Sequence, residues 1–427
     1  MGNRGLRIDK FIMGCVLRGE RWWVMDKLDR IFDSFSTSSV FKDKVVLQSN
    51  YSPEDILHRD EQIQSIASIL GPTLRNERAS NLFLYGKTGT GKTVCARHVG
   101  ERLEAKMKGS GQDRLRFLYV NCKLKKVSDT EYRIIAELIH LLGGKVPVTG
   151  LPTDAVYSRF VSLVDQQRQI VVLVLDEIDQ AVKKISDNFI YTLTRMNSEL
   201  RQAQISMVGI SNSLTFMDNL DPRVRSSLGE EEIVFSPYNA LQLRDILERR
   251  AALAFVSGVL GEGTIAKCAA YAAREHGDAR RALDLLRVAG EIAVREGSDR
   301  VMLEHIDAAN QKIERDKILD VIESEPSQFQ LVLYAIMLLH EREKGGTIYT
   351  GDVFQVYQDL CAATKNEVLT QRRISGILAE FDMLGIINAQ VVSKGRQGRT
   401  REIRLMLSQQ IYEKGREIIE KALGIQR

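Results

Sequence analysis

The stretch NLFLYGKTGTGKT, Asn81 to Thr93, decides the fold. Asn81–Tyr85 reads as a short buried strand. It runs without a spacer into Gly86, Lys87, Thr88, Gly89, Thr90, Gly91, Lys92 and Thr93, a full match to GxxxxGK[ST]. Glycines at this spacing let the backbone wrap with its N–H groups inward, a cradle for anions that continues into a helix N-terminus. Lys92 would then reach the β- and γ-phosphates of a nucleotide, and the Thr93 hydroxyl would ligate Mg²⁺. Helix-forming residues continue to about Lys108, as that mechanism requires.

Outward from this loop, Leu115–Asn121, Ile170–Leu175, Ile205–Ile210 and Glu232–Phe235 read as further strands. Ile170–Leu175 is an unbroken apolar run ending at Asp176, the pattern of a strand buried on both faces of a parallel sheet. Helical stretches separate the strands, so the expectation is a right-handed, doubly wound α/β domain with a parallel five-stranded sheet. An acid at the tip of that strand, Asp176, suits Mg²⁺ held through water, and the next acid, Glu177, suits polarisation of an attacking water. Asn212, just past the following strand, offers a neutral amide to position that water. Upstream, Ser52-Pro53-Glu54 reads as the start of a helix reaching Leu70.

From about Pro237 to Glu325 the pattern is helical only, with apolar spacings of three and four in Ala240–Phe255 and Ala279–Gly290. Beyond Pro326, helices at about 327–343, 351–362 and 370–384 precede two strand-like segments, Ile386–Val392 and Thr400–Leu407, around a Gly- and Arg-rich turn. Three helices and a hairpin make a winged helix-turn-helix layout. With 44% apolar and 27% charged residues and only seven prolines, the 427-residue chain is neither disordered nor collagen-like. Its longest apolar runs, Ile170–Leu175 and Leu331–Leu339, are too short to span a bilayer, so no membrane partner is expected. The patch Phe11–Leu17 lacks the features of a signal peptide. The five cysteines form no CxxC and the six histidines no HxxxH or HExxH, which argues against zinc or a disulfide framework and for a reducing, cytoplasmic setting.

Taken in order, GKTGTGKT (86–93), VVLVLDEID (171–179), GISNS (209–213) and GDARRAL (277–283) resemble the AAA+ ATPases. YSPEDILHRDEQI (51–63), LDPRVRSSL (220–228), FSPYNALQLRDIL (235–247) and the winged helix narrow the resemblance to the archaeal origin-recognition initiators, relatives of the eukaryotic origin recognition complex and its cell-division-cycle loading factor. It spans about residues 50 to 405. The resemblance implies an AAA+ α/β core over 25–236, an all-α lid over 237–325 and a winged-helix DNA-binding domain over 326–427. It implies ATP or ADP with Mg²⁺ as cofactors, weak ATPase activity, and partners comprising double-stranded origin DNA, the replicative helicase of the minichromosome maintenance type and other initiator paralogues. It also implies a nucleoid-associated protein in the cytoplasm.

By the same resemblance Asp176 is the magnesium-side acid, Glu177 the base, Asn212 the first sensor, and Arg280 of GDAR a second sensor reaching the γ-phosphate from the lid. Tyr238 and Arg250 match lid positions around the nucleotide, the Tyr suited to stack on adenine and the Arg to neutralise phosphate. Arg223 or Arg225 is an arginine finger for a neighbouring subunit. Many AAA+ relatives carry an SRF-type arginine slightly later, where this chain has Ser227 and Leu228. A missing finger costs ~10³–10⁵ in rate, so nucleotide would then act chiefly as a conformational switch.

At the other end, Ile374, Ile377, Leu378 and Phe381 share one helical face, and Gln371, Arg372 and Arg373 occupy the first turn, where a recognition helix meets base edges. Lys394, Arg396, Arg399, Arg401 and Arg404 face a single acid, Glu402, across the wing, a pattern suited to phosphates and to arginine in the minor groove. A second basic group, Lys123, Lys125, Lys126 and Arg133, lies where initiators carry a DNA-contacting helical insertion. Residues 1–24, with five cations and two acids, read either as a flexible basic arm or as an upstream start without a role, since chains of the family usually begin nearer Met25. Two other readings stay open: an ATPase regulator of transcription or transposition, and a protein-remodelling ATPase whose winged helix binds protein.

Overall fold

The computed structural model describes residues 40–49, 51–109, 114–123, 130–147, 150–228, 230–343, 346–393 and 399–425. Its chain divides into two units between Ile306 and Asp307. Residues 1–24, Lys125, Lys126, Lys394 and Arg396, and the side chain of Arg399, lie outside the described residues.

In the first unit β1 (Leu82–Tyr85), β2 (Leu115–Asn121), β3 (Ile170–Asp176), β4 (Gln204–Ser211) and β5 (Glu231–Val234) form one sheet in the order β2-β3-β4-β1-β5. Every pairing is parallel. The apolar run in β3 is explained by what covers it. Ile170, Val172 and Val174 pack with Ile66 and Leu70 of α1 (Asp60–Leu70) and Cys95 and Val99 of α2 (Lys92–Gly109) on one face. On the other face Val171, Leu173 and Leu175 meet α3 (Glu131–Leu141), α4 (Thr153–Val164), α5 (Ile178–Lys184), α6 (Asn188–Arg195) and α7 (Pro222–Leu228). Burying each such side chain stabilises the fold by roughly 1.5–3 kcal/mol.

Parallel pairing also fixes where the site must be. Asn121 pairs with Asp176, Asp176 with Ile210, Ile210 with Leu84 and Leu84 with Ile233. The residues that follow (the glycine loop, Glu177, Asn212 and Phe235) therefore all emerge along one edge, the edge at which open α/β sheets bind ligands.

One reading is corrected here. The helix assigned from Ser52 begins only at Asp60. His58 takes a left-handed φ of 58°, which no helix can pass, and Arg59 is also outside the helical region at φ −134° and ψ 20°; residues 51–59 are a loop.

The helical part of this unit comprises α8 (Ala240–Ala254), α9 (Thr264–Arg274), α10 (Ala279–Arg295) and the start of α11 (Leu303–Ser324). A capping box starts α8: Asn239 Oδ1 accepts the Gln242 N–H at 2.9 Å and Gln242 Oε1 accepts the Asn239 N–H at 3.1 Å. The upstream segment 40–48 packs on these helices. The Lys42 and Asp43 N–H groups donate to the Ala254 carbonyl, and the Phe41 and Phe255 rings sit 4.8 Å apart.

The second unit holds α12 (Ser327–Arg342), β6 (Ile348–Tyr349), α13 (Thr350–Thr364), α14 (Gln371–Met383), β7 (Ile387–Ser393), β8 (Arg399–Leu405) and α15 (Gln409–Leu423). The two wing strands pair antiparallel, and the two-residue β6 adds a third strand beside β8. As their spacing requires, Ile374, Ile377, Leu378 and Phe381 of α14 are buried in this unit's core, with α12 and α13. Among the described residues no helix is long and apolar enough to cross a membrane.

Because Leu173 is fully buried at the centre of β3, Leu173→Ala is expected to lower the stability of the first unit by about 2–5 kcal/mol. Urea unfolding followed by far-UV circular dichroism checks this; an unchanged midpoint would contradict the layering.

Candidate functional site

The sheet edge opens into a cavity of about 670 Å³, within the range of small-molecule sites. The phosphate loop contributes Gly89, Thr90, Gly91, Lys92 and Thr93; the strand tips contribute Asp176, Glu177 and Asn212; the lid side contributes Tyr238, Arg250 and Arg280. Gly86, Lys87 and Thr88 complete the loop without lining the cavity.

The loop geometry needs its glycines. Gly86 has φ 153°, and a Cβ there would lie 2.3 Å from the Phe235 carbonyl oxygen. Gly89 has φ 68°, and its Cβ would lie 1.7 Å from Asp278 Oδ1. Asp278 is the N-cap of α10, accepting from the N–H groups of Arg280 (2.8 Å) and Arg281 (3.2 Å). The Ala279 N–H donates to the Gly89 carbonyl at 3.2 Å, and Lys87 Nζ lies 3.2 Å from His276 Nδ1. The helical lid thus touches the loop directly, and Arg280 reaches the cavity from the first turn of α10.

Lys92 is buried, with Nζ donating to the carbonyls of Gly86 and Lys87, each at 2.7 Å. Burial pushes its pKa down to about 8; Asp176 opposes the shift and the Arg280 charge adds to it. Asp176 is also buried. Its Oδ2 accepts from Thr93 Oγ1 at 2.8 Å and from the Tyr119 hydroxyl at 2.5 Å, and its Oδ1 accepts the Glu177 N–H at 2.9 Å. Burial, then the Asp176 charge, holds the Tyr119 hydroxyl well above the usual phenol range, so it serves as a donor. A hydroxyl beside a carboxylate is the hard-oxygen donor set that fits Mg²⁺. Among the described residues no group of three or more His, Cys, Asp or Glu forms a metal cage. A cation here would therefore take its remaining ligands from phosphate and water, as Mg²⁺ does.

Glu177 follows at φ 55°, a left-handed conformation that costs a non-glycine residue about 1–2 kcal/mol. Lys123 Nζ sits 3.7 Å from its carboxylate, at the cavity mouth. On the lid side the Arg250 guanidinium lies 4.4 Å from the Tyr51 ring centroid. Its Nη1 is buried and has no hydrogen-bond partner among the described residues. Burial pushes the Arg250 pKa down. A buried donor left unpaired is costly, and one beside a cavity fits an anionic or acceptor-rich ligand. Tyr238 is buried, with one face of its ring covered by the Arg59 guanidinium at 3.9 Å; only its remaining surface is open to a base.

Arg223 and Arg225 are exposed on α7 and do not line this cavity. Arg223 Nε pairs with Asp221 at 3.0 Å and Arg225 Nη1 with Asp218 at 3.5 Å. Arg133 is half-buried in the first turn of α3. In the winged helix, Gln371, Arg372 and Arg373 are exposed at the start of α14. Arg401 turns inward, Nη1 donating to the Ser375 carbonyl of α14 at 3.0 Å, while the mostly exposed Arg404 pairs with Glu402 at 2.9 Å.

Sequence reasoning passed over Arg59, Tyr119 and the pocket-lining loop 51–57. Tyr119 carried no signal beyond strand alternation. Arg59 carried none either, because the helix read from Ser52 placed it mid-helix, and only the structure sets it just before the start of α1 at Asp60.

A phosphate loop, an acid at the tip of a neighbouring buried strand and a helical lid over both define an ATPase of the AAA+ class. Family models agree in three parts: an AAA domain over residues 75–217, a Cdc6 AAA+ ATPase-type lid domain over 244–311, and the CDC6 C-terminal winged helix domain over 320–415. The ORC1-type DNA replication protein 1 of Methanosarcina acetivorans is 50% identical over 383 residues, covering 88% of this chain and 91% of that one. The ORC1-type DNA replication protein of Pyrococcus furiosus is 52% identical over 386 residues, covering 89% and 90%. Among solved structures, the Aeropyrum pernix ORC1 protein in complex with DNA superposes with a TM-score of 0.78 at 46% identity, covering 90% of this chain and 97% of that one. The chain belongs to the family of ORC1-type DNA replication proteins.

The Lys92 environment sets a pH dependence. In the free protein its pKa is about 8; a bound phosphate favours the charged form and raises it. Binding therefore takes up a proton above pH 8. ADP affinity is expected to be level below that pH and to fall by up to about tenfold per unit above it. Calorimetric titration from pH 7 to 9.5 measures this, and a flat profile would contradict the assignment.

Proposed function

We propose that this replication protein binds ATP with Mg²⁺ between the phosphate loop and the lid, uses the nucleotide as a conformational switch, and grips double-stranded origin DNA through its winged helix. Recruitment of the replicative helicase is part of the same reading. The observation that carries it is the convergence of Lys92, Thr93, Asp176, Glu177, Asn212 and Arg280 on one cavity.

In this reading the N–H groups of the glycine loop and the Lys92 ammonium bind the β- and γ-phosphates. Thr93 and Asp176 would hold Mg²⁺, which neutralises charge developing on the phosphates. Glu177 orients a water and takes up its proton, Asn212 positions the same water, and Arg280 brings the lid's charge to the γ-phosphate. Because Arg280 is the residue next to Ala279 in the Gly89–Ala279 contact, loss of the γ-phosphate alters what holds α10 to the loop, and this is the switch. Arg223 or Arg225 would complete the site of a neighbouring subunit, for which their exposure on α7 is suited. Without such a neighbour, turnover is slow.

For DNA, the exposed first turn of α14 gives Gln371, Arg372 and Arg373 access to base edges and phosphates. Lys394, Arg396, Arg399 and Arg401 of the wing, with Lys123, Lys125, Lys126 and Arg133, are proposed as further contacts. Arg401 acts in part by fixing β8 to α14. The relative whose structure was solved in complex with DNA supports a DNA-binding role for this chain as well.

Two measurements test the reading. Lys92→Ala is expected to weaken ATP binding by ~10²-fold, as for loss of charged hydrogen bonds, while leaving double-stranded DNA affinity little changed. Affinity for a duplex should fall linearly with log salt by about 0.9 per phosphate contact, and Arg372→Ala with Arg373→Ala should reduce that slope by about two. Salt-insensitive binding, or a slope the double substitution leaves intact, would refute the DNA assignment.

A further inference from the structure

Arg59 is the most deeply buried guanidinium beside the cavity, 4% exposed, and among the described residues no carboxylate pairs with it. Its donors go to backbone carbonyls of three separate segments. Nε donates to Thr90 of the phosphate loop at 2.9 Å, Nη2 to Ser236 of the linker into the lid at 2.6 Å, and Nη1 to its neighbour His58 at 3.4 Å. The guanidinium also lies 3.9 Å from the Tyr238 ring centroid and 5.6 Å from that of Phe235. Carbonyl dipoles and aromatic faces can satisfy a buried cation, but they leave its charge uncancelled.

The Thr90 contact has a geometric consequence. In a trans peptide the carbonyl and the next N–H point in opposite directions. Holding the Thr90 carbonyl against Arg59 therefore aims the Gly91 N–H away from the guanidinium. The Ser236 contact has a second consequence. The linker residues Ser236 to Asn239 lead into α8, and the same guanidinium stacks on Tyr238 among them, so a shift of the loop at Thr90 is felt at the root of the lid.

We propose that Arg59 is a positioning residue of the nucleotide site: it sets the Thr90–Gly91 peptide for phosphate binding and links the loop to the Ser236–Tyr238 hinge. This rests on the reading that the loop holds a nucleotide's phosphates. The uncancelled charge favours an anion in the loop, and the two-carbonyl bridge transmits the loop's state to the lid.

The test uses the full chain with Arg59→Met, Arg59→Lys and the unaltered protein. ADP affinity is measured by calorimetry, and hydrogen exchange of residues 86–92 and 236–240 is followed with and without saturating ADP. In the unaltered protein ADP is expected to slow exchange in both segments. Arg59→Met should bind ADP at least about tenfold more weakly, and at saturation protect the loop without protecting the linker. Arg59→Lys keeps the charge but gathers its donors on one atom, and should lie between the two; it decides the matter if the Met variant does not fold. A purely structural arginine would lower stability while leaving ADP affinity and the paired protection of the folded protein intact. ADP affinity within about twofold of the unaltered protein in the folded variants, or linker protection undiminished in them, overturns the proposal while leaving nucleotide binding standing. Failure of the unaltered chain to bind ADP would remove both.

Discussion

The contact on which the rest of the first unit depends is the one between Gly89 and the start of α10. The Ala279 N–H donates to the Gly89 carbonyl, and the Asp278 carboxylate occupies the space a Cβ at Gly89 would take. Only glycine permits that approach, and only a capped helix N-terminus offers a fixed N–H there. The contact brings the lid's Arg280 to a cavity that the sheet edge would otherwise leave open on one side. It also packs the phosphate loop and the lid directly against each other.

The electrostatics around it follow a single logic. Lys92 and Arg250 are both pushed towards neutrality by burial, and among the described residues Arg59 has no carboxylate partner and Arg250 Nη1 no acceptor. Against these cations stands Asp176, whose carboxylate oxygens are already engaged by Thr93, Tyr119 and the Glu177 N–H. A site with excess buried positive charge and unspent donors is arranged for a polyanion. Apolar lining also comes from the loop around Tyr51, through Ile56 and Leu57, and from the lid, through Ile246, Leu253 and Leu283.

Much of this was legible in the sequence because it rests on short-range chemistry. The glycine loop, the apolar run ending at Asp176 and the three-four spacing of α14 each specify structure within a few residues, and the sheet's parallel order follows from helices between strands. What was not legible depends on the left-handed turn at His58 and on long-range placement. Ser52-Pro53-Glu54 has the composition of a helix start, yet the chain bends and turns through 51–59, with Tyr51 against Arg250 and Arg59 on Thr90. Tyr119 looks like any strand aromatic until β2 is laid beside β3. The inward turn of Arg401 likewise depends on a carbonyl twenty-six residues away in the chain, and no pattern near Arg401 encodes it.

The central claim, that loop and lid together enclose a nucleotide, is tested most directly by crystallising the full chain with ADP and MgCl₂. The account predicts density for the two phosphates inside the loop 86–92 with Lys92 and Thr93 turned to them, and for the base between the Tyr51 loop and α8, with the Gly89–Ala279 contact kept. Nucleotide density elsewhere, or a bound nucleotide with the lid separated from the loop, would contradict it.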